Sequence, residues 1–279
     1  MVTKYSDIYR SILWEVAYES LESSPRWQKV REKLMWTFTY DPTQCIADFP
    51  SRPFSFKYLY WELLWYMSWD MSSNFIWDYA SLWNRIADSQ WNVNSNYWAL
   101  VFHFQNHYEY TWYARAYQSL VNDKDSRQSV IFYGWADHQE RWVKDFPCTV
   151  MQQFFIRDNK LEWITYMRSN DLFFWTSFDV VRFSLVMQSL HLDLKMKYPD
   201  LELWNMRHIA WSLHIYEKHF EKTDEIINAE TGIKNYKITL QNSLTDLARR
   251  WIGVQSMQKT WPNTIDYIKE LGVVIEECK

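Results

Sequence analysis

Apolar residues recur at helical spacing near the start of the chain. Ile8, Ile12, Leu13, Val16, Ala17 and Leu21 predict a helix over residues 4–23. Residues 29–47 read as strand or strand and turn, with Asp41-Pro42-Thr43 turning the chain, and 49–53 as a loop. Residues 57–67 read as an apolar helix that carries one acid, Glu62. A second helix is expected over 71–87, a polar loop over 88–95 and a third helix over 106–121. The texture then changes. A short strand over 129–133 is followed by two long apolar runs, 148–157 and 161–168, on either side of Asp158-Asn159, which predicts a hairpin. A long helix over 178–195, a strand over 205–216 and a helix over 217–227 complete the pattern; the tail beyond 229 is mixed and reads as a peripheral extension. No repeat or low-complexity linker interrupts the 279 residues, so one α+β domain over 1–279 is expected.

The totals narrow the function classes. Hydrophobic residues make up 48% of the chain, ample for a core, and a net charge of -4 gives no sign of a nucleic-acid-binding surface. The three cysteines, Cys45, Cys148 and Cys278, form no CxxC and no pairing pattern. That fits a reducing, cytoplasmic setting and argues against structural zinc. No run of about 18 apolar residues exists to cross a membrane. His103, His107, His138, His191, His208 and His219 show no metal-ligand spacing, so no metal is expected.

Cys148 stands behind Phe146-Pro147 at the mouth of the first hairpin strand. A lone cysteine in an apolar strand is ordinarily an inert core residue. Catalysis needs the thiolate, hence a positive neighbour. Counting back through the turn places residue 168 near 149, so Arg168 falls beside the thiol from register alone.

Six blocks in order carry a resemblance: 62–68, Asn96-Tyr97, Asp125-Ser126-Arg127, Phe146-Pro147-Cys148, 167–171 (Met-Arg-Ser-Asn-Asp) and 213–216 (Leu-His-Ile-Tyr). Together they resemble the signature blocks of thymidylate synthases and their pyrimidine hydroxymethylase relatives, over a family-like core of about 26–228. The resemblance implies a thymidylate synthase-like α+β fold, with a mixed sheet flanked by helices. It implies that Cys148 adds to carbon 6 of a pyrimidine nucleoside monophosphate, so that carbon 5 can take the methylene of 5,10-methylenetetrahydrofolate. Glu62 would be the acid that organises water and proton transfer, and Tyr97 the assistant in proton removal at carbon 5. Arg127 and Arg168 would hold phosphate, with Ser169 adding a hydrogen bond and either Arg26 or Arg31 as a loosely aligned third cation. His214 and Tyr216, at i and i+2 of a strand, would share the sugar 3′-hydroxyl. In the family the arginine matching Arg127 reaches into the partner's site, which implies a homodimer. The chain departs from the common pair of arginines there, with Gln128 following Arg127.

Asp179 points to the base. Synthases have asparagine here, whose amide matches the carbonyl and ring N–H of uracil. A carboxyl group instead accepts from the amino group of cytosine. The expectation is therefore a deoxycytidylate (dCMP) 5-hydroxymethyltransferase. A CMP hydroxymethylase, a thymidylate synthase or dUMP hydroxymethylase, and an inactive nucleotide-binding relative stand as alternatives. Asp179 also suits a plain helix N-terminus.

One count is anomalous: 4 glycines against 19 tryptophans. Average usage of about 7% would give roughly 20 glycines. Trp69, Trp98, Trp175 and Trp211 stand where the resembled family has glycine. The expectation is that some tryptophans represent UGA codons that mean glycine.

Overall fold

The computed structural model describes residues 4–68, 70–76, 81–103, 110–134, 143–229, 231–245, 269 and 272–278. The chain runs α1 (Tyr5–Tyr18), β1 (Leu21–Ser23), β2 (Val30–Tyr40), β3 (Ile46–Asp48), α2 (Phe56–Ser68), α3 (Leu82–Ile86), α4 (Trp112–Asn122) and β4 (Val130–Phe132). It continues with β5 (Thr149–Arg157), β6 (Lys160–Met167), β7 (Asn170–Asp171), α5 (Thr176–Lys195), β8 (Glu202–Tyr216), α6 (Phe220–Ala229), β9 (Lys234–Leu240) and β10 (Val273–Glu277). This is an α+β fold with a mixed sheet flanked by helices, as expected.

The main sheet has the order β1-β2-β8-β6-β5-β4, with β7 also beside β8. All its pairs are antiparallel except β6–β8 and β7–β8. The β5–β6 hairpin closes at Asp158 and Asn159, both left-handed at φ 49° and 57°. That is the geometry of a two-residue turn matching strand twist, which these short polar side chains tolerate. Along β5 and β6, Gln152, Phe154, Ile156, Leu161, Trp163, Thr165 and Met167 face inward. Helix α5 lies over that face and is buried from Thr176 through Leu190. On the opposite face of the sheet Trp211 is 48% exposed, and Arg207 faces Glu162 across β6 and β8.

Some expectations shift. The first helix ends at Tyr18, and 21–23 forms β1 instead. The helix expected over 71–87 reduces, among described residues, to a single 3₁₀ turn at Ser73–Phe75 and the short α3. The reason is a competing set of backbone bonds: Ser73 N donates to Trp91 O and Val93 N to Met71 O, which ties this segment to the following loop. The third helix begins at Trp112, capped by the Thr111 hydroxyl, and Ala99–His103 forms a π-helical turn before it; residues 106–109 lie outside the described set. The tail supplies β9 and β10, which make a second sheet with β3 and bury Ile238 and Val273.

Trp98, Trp175 and Trp211 show no left-handed backbone, and Trp69 lies outside the described residues. Two other tryptophans do: Trp27 and Trp91, at φ 64° and 65°. Glycine takes that conformation without strain; an indole-bearing residue does not.

Candidate functional site

The hairpin register sets the thiol. Thr149 pairs with Met167, and Arg168 N donates to Cys148 O at 2.9 Å. The Arg168 side chain folds back over the end of β5. Its Nε donates to Pro147 O at 3.1 Å, its Nη2 to Phe146 O at 2.6 Å, and Nη2 lies 3.7 Å from Cys148 Sγ. Burial pushes the Cys148 thiol up from its ordinary range, and the Arg168 charge opposes that shift. Arg26 also acts on Cys148, and on Tyr216. Arg31 instead stacks on Phe220 at 4.1 Å. Of the two N-terminal arginines, Arg26 is thus the one on the thiol's side.

Tyr97 reaches the same place from another loop. Ser95 donates through its N and Oγ to the Asp145 carboxylate at 2.8 and 2.7 Å, which fastens the 94–97 loop to the segment leading into Cys148. The Tyr97 hydroxyl accepts from Cys148 N at 3.2 Å. Burial pushes its pKa up to about 12, so it is a neutral hydroxyl near neutral pH.

Beneath lies a cluster of buried charge. Glu62, on apolar helix α2, has no exposed surface, and burial pushes its pKa up while Arg182 opposes the shift. Tyr58 donates to Glu62 Oε1 at 2.8 Å and Arg182 Nη1 to the same oxygen at 3.0 Å. Arg182 also donates to the Tyr66 hydroxyl and pairs with Asp179 one helical turn earlier. Asp179 sits in the first turn of α5 and is buried. Its other oxygen accepts from Asn170 Nδ2 at 2.7 Å. Asn170 Oδ1 accepts from the Thr176 hydroxyl at 2.8 Å and lies 3.1 Å from His208 Nε2. Burial holds the His208 imidazole neutral, its pKa lowered to about 3. The Arg182 guanidinium lies 5.3 Å over the Tyr97 ring, so one aromatic joins the charge cluster to the thiol.

On the other side of β7, Asp171 pairs with His214 in register. His214 and Tyr216 share one face, with ring centroids 5.1 Å apart. Ser169 is half-buried between Arg168 and β7. Arg127 is exposed. It does not join the cluster.

Cys148, Glu62, Tyr97, Arg168 and Asp179 are therefore brought together, with His214 and Tyr216 on the adjoining strand. Sequence reasoning did not single out Arg182, Asn170, Tyr58 or Tyr66. Arg182 had a readable signal: a cation inside the apolar run Val180-Val181-Arg182-Phe183, one turn from Asp179. Among the described residues no group of three His, Cys, Asp or Glu is placed to hold a metal ion, and no helix is long and apolar enough to cross a membrane.

Comparison with known proteins points the same way. The thymidylate synthase family profile matches residues 4–259. A deoxycytidylate 5-hydroxymethyltransferase of Enterobacteria phage T2 is 31% identical over 205 residues, covering 67% of this chain and 79% of its own. The protein of the same name from Enterobacteria phage T6 is 30% identical over 198 residues, covering 64% and 75%. A thymidylate synthase of Vesicomyosocius okutanii subsp. Calyptogena okutanii (strain HA) is 25% identical over 167 residues, covering 59% and 61%.

Proposed function

Since the chain belongs to the thymidylate synthase family, whose enzymes are one-carbon transferases, we propose that it hydroxymethylates carbon 5 of deoxycytidylate. The observation that carries this reading is a buried Asp179 carboxylate in the same cluster as Cys148, joined to it through Arg182 and Tyr97. An acceptor-only group suits the cytosine amino group. It faces the uracil carbonyl with no hydrogen between them, a mismatch worth about 1–3 kcal/mol.

Cys148 adds through its thiolate to carbon 6, and Arg168, 3.7 Å away, favours that charged form. A bound 5,10-methylenetetrahydrofolate supplies an electrophilic one-carbon unit. The residues present fit such a co-substrate. Half-buried Trp175 and exposed Phe174 give a flat ring an aromatic wall, and Tyr58 links that wall to Glu62. Glu62 Oε2 has no hydrogen-bond partner among the described residues, which leaves an acceptor for the water whose oxygen completes the hydroxymethyl group as tetrahydrofolate leaves. The Tyr97 hydroxyl stands next to the thiol, where a proton leaves carbon 5. Arg168 and Arg26 take the phosphate, Ser169 adds a hydrogen bond, and His214 with Tyr216 takes the sugar hydroxyl.

A homodimer completes the site, with Arg127 of the partner subunit reaching the phosphate. The outer face of the main sheet, where Trp211 is 48% exposed, gives the two copies a surface to bury. Three unbridged thiols suit a cytoplasmic enzyme.

The test is to incubate the protein with methylenetetrahydrofolate and each of dCMP, CMP and dUMP carrying tritium at carbon 5. Tritium release from dCMP without the absorbance rise of dihydrofolate is expected. Release from dUMP with that rise identifies a thymidylate synthase and overturns the proposal.

A further inference from the structure

Arg182 is an unusual occupant of its site. It is 3% exposed, within an apolar stretch of α5. Its guanidinium donates to Glu62, to the Tyr66 hydroxyl and to Asp179. Among the described residues it is the one cation paired with either acid. Its Nε–H is buried and has no acceptor among them. Asp179 meets donors on both oxygens: Arg182 on one and the Asn170 amide on the other. Asn170 turns its amide nitrogen toward Asp179, while its oxygen accepts from the Thr176 hydroxyl and lies 3.1 Å from His208 Nε2.

We propose that Arg182 is a second base-selecting residue: it keeps Asp179 an acceptor-only carboxylate and sets a donor beside it. The inference deepens the cytosine reading above and rests on it. Cytosine presents an amino donor next to a bare ring nitrogen. Uracil presents a carbonyl acceptor next to a ring N–H. An acceptor beside a donor complements the first edge and opposes the second at both positions. Take the guanidinium away and the buried carboxyl group has only an amide for company, which favours its neutral form. A neutral acid carries an O–H that can donate to the uracil carbonyl, so the discrimination erodes.

The other groups facing the pair leave the charge balance to Arg182. Glu62, Tyr58 and Tyr66 face it from α2, Tyr97 and Tyr133 from the thiol side, and His208 from β8. Burial holds all four tyrosines neutral and His208 uncharged. The Cys148 thiol, with Arg168, lies beyond Tyr97.

The test measures tritium release from carbon 5 of dCMP and of dUMP, from about pH 6 to about pH 9, in wild type, Arg182→Gln and Arg182→Lys. In wild type the dCMP-over-dUMP ratio of kcat/KM is expected to stay flat with pH. Arg182→Gln is expected to lower it roughly tenfold to a hundredfold, most at the acid end. Arg182→Lys, which keeps a cation, retains most of the preference. A folded Arg182→Gln protein with an unchanged, flat ratio overturns the inference and leaves the cytosine reading intact. Should Arg182→Gln fail to fold, the wild type decides alone: a cytosine preference that fades on acidification overturns it. A wild type that favours dUMP, or turns over neither nucleotide, sinks the cytosine reading and this inference with it.

Discussion

Arg168 leans over the end of a hairpin and shares its hydrogens between two main-chain carbonyls and a thiol. Arg182 lies inside a helix with two carboxylates and a phenol. Both are arginines whose charge acts on the same cysteine, one beside it and one beyond Tyr97, yet their surroundings differ in kind. The rim arginine can trade a carbonyl for a ligand oxygen at little cost, and its Nη1 has no acceptor among the described residues. The interior arginine cannot let go without stranding charge. Under the proposed function, the rim is the part that binds and the interior the part that fixes protonation states.

Substitutions can break or sharpen that contrast. Cys148→Ala has the largest expected effect. It should lower tritium release about ten thousandfold and leave thermal unfolding nearly unmoved; residual turnover within tenfold of wild type would remove the thiol from the chemistry. Next comes Arg182→Met, which leaves Glu62 and Asp179 buried without their cation. A loss of about 3–5 kcal/mol in urea unfolding is expected. Arg168→Met should cost only about 1 kcal/mol of stability. Its signature lies in the thiol. Because burial already pushes the Cys148 pKa up, alkylation by iodoacetamide speeds up as pH rises, and losing Arg168 moves that rise to higher pH. If the two methionine variants exchange these signatures, the division into rim and interior is wrong.

His208 gives a smaller effect on the interior side. Its pKa falls from 6.5 to about 3 on folding, so between those values the unfolded chain binds the extra proton. Stability should therefore fall as pH drops from about 6.5 toward about 3, by up to about 1.4 kcal/mol per pH unit. His208→Gln keeps a donor for Asn170 and should remove this contribution from a pH series of melts. The smallest effect is on the rim. Trp27 is 98% exposed and left-handed, next to left-handed Arg26. Trp27→Gly should stabilise by about 0.5–1 kcal/mol, as relief of the strained backbone outweighs the added chain entropy. A lower melting temperature would show that the conformation costs nothing.

Much of the rim could be read from the chain alone. The polar pair Asp158-Asn159 between apolar runs set the hairpin, and counting from it put Arg168 within one residue of its observed partner. The resemblance singles out His214 and Tyr216, and strand alternation puts them on one face, where their rings lie 5.1 Å apart. The interior was harder. Asp179 is legible through the resemblance, because the synthases have asparagine at its position, while Arg182 shows in the sequence only as a lone cation in an apolar helical run whose partners lie far off in the chain. The same holds for the residues after Met71. Their composition favours a helix, and long-range bonds to Trp91 and Val93 overrule it. Strand β9 depends on pairing with β3, nearly two hundred residues earlier, which no local window contains.

The place of β8 has a consequence for how the molecule is made. It is laid between β2 and β6, although it comes after both in the chain. During synthesis, β2 and the β5–β6 hairpin must wait with bare inner edges until Tyr216 has emerged from the ribosome. Such edges pair readily with other chains, and closure over so long a separation is slow. A nascent or truncated product that stops short of Glu202 has the thiol and its arginine in place, but nothing to join the two halves of the sheet.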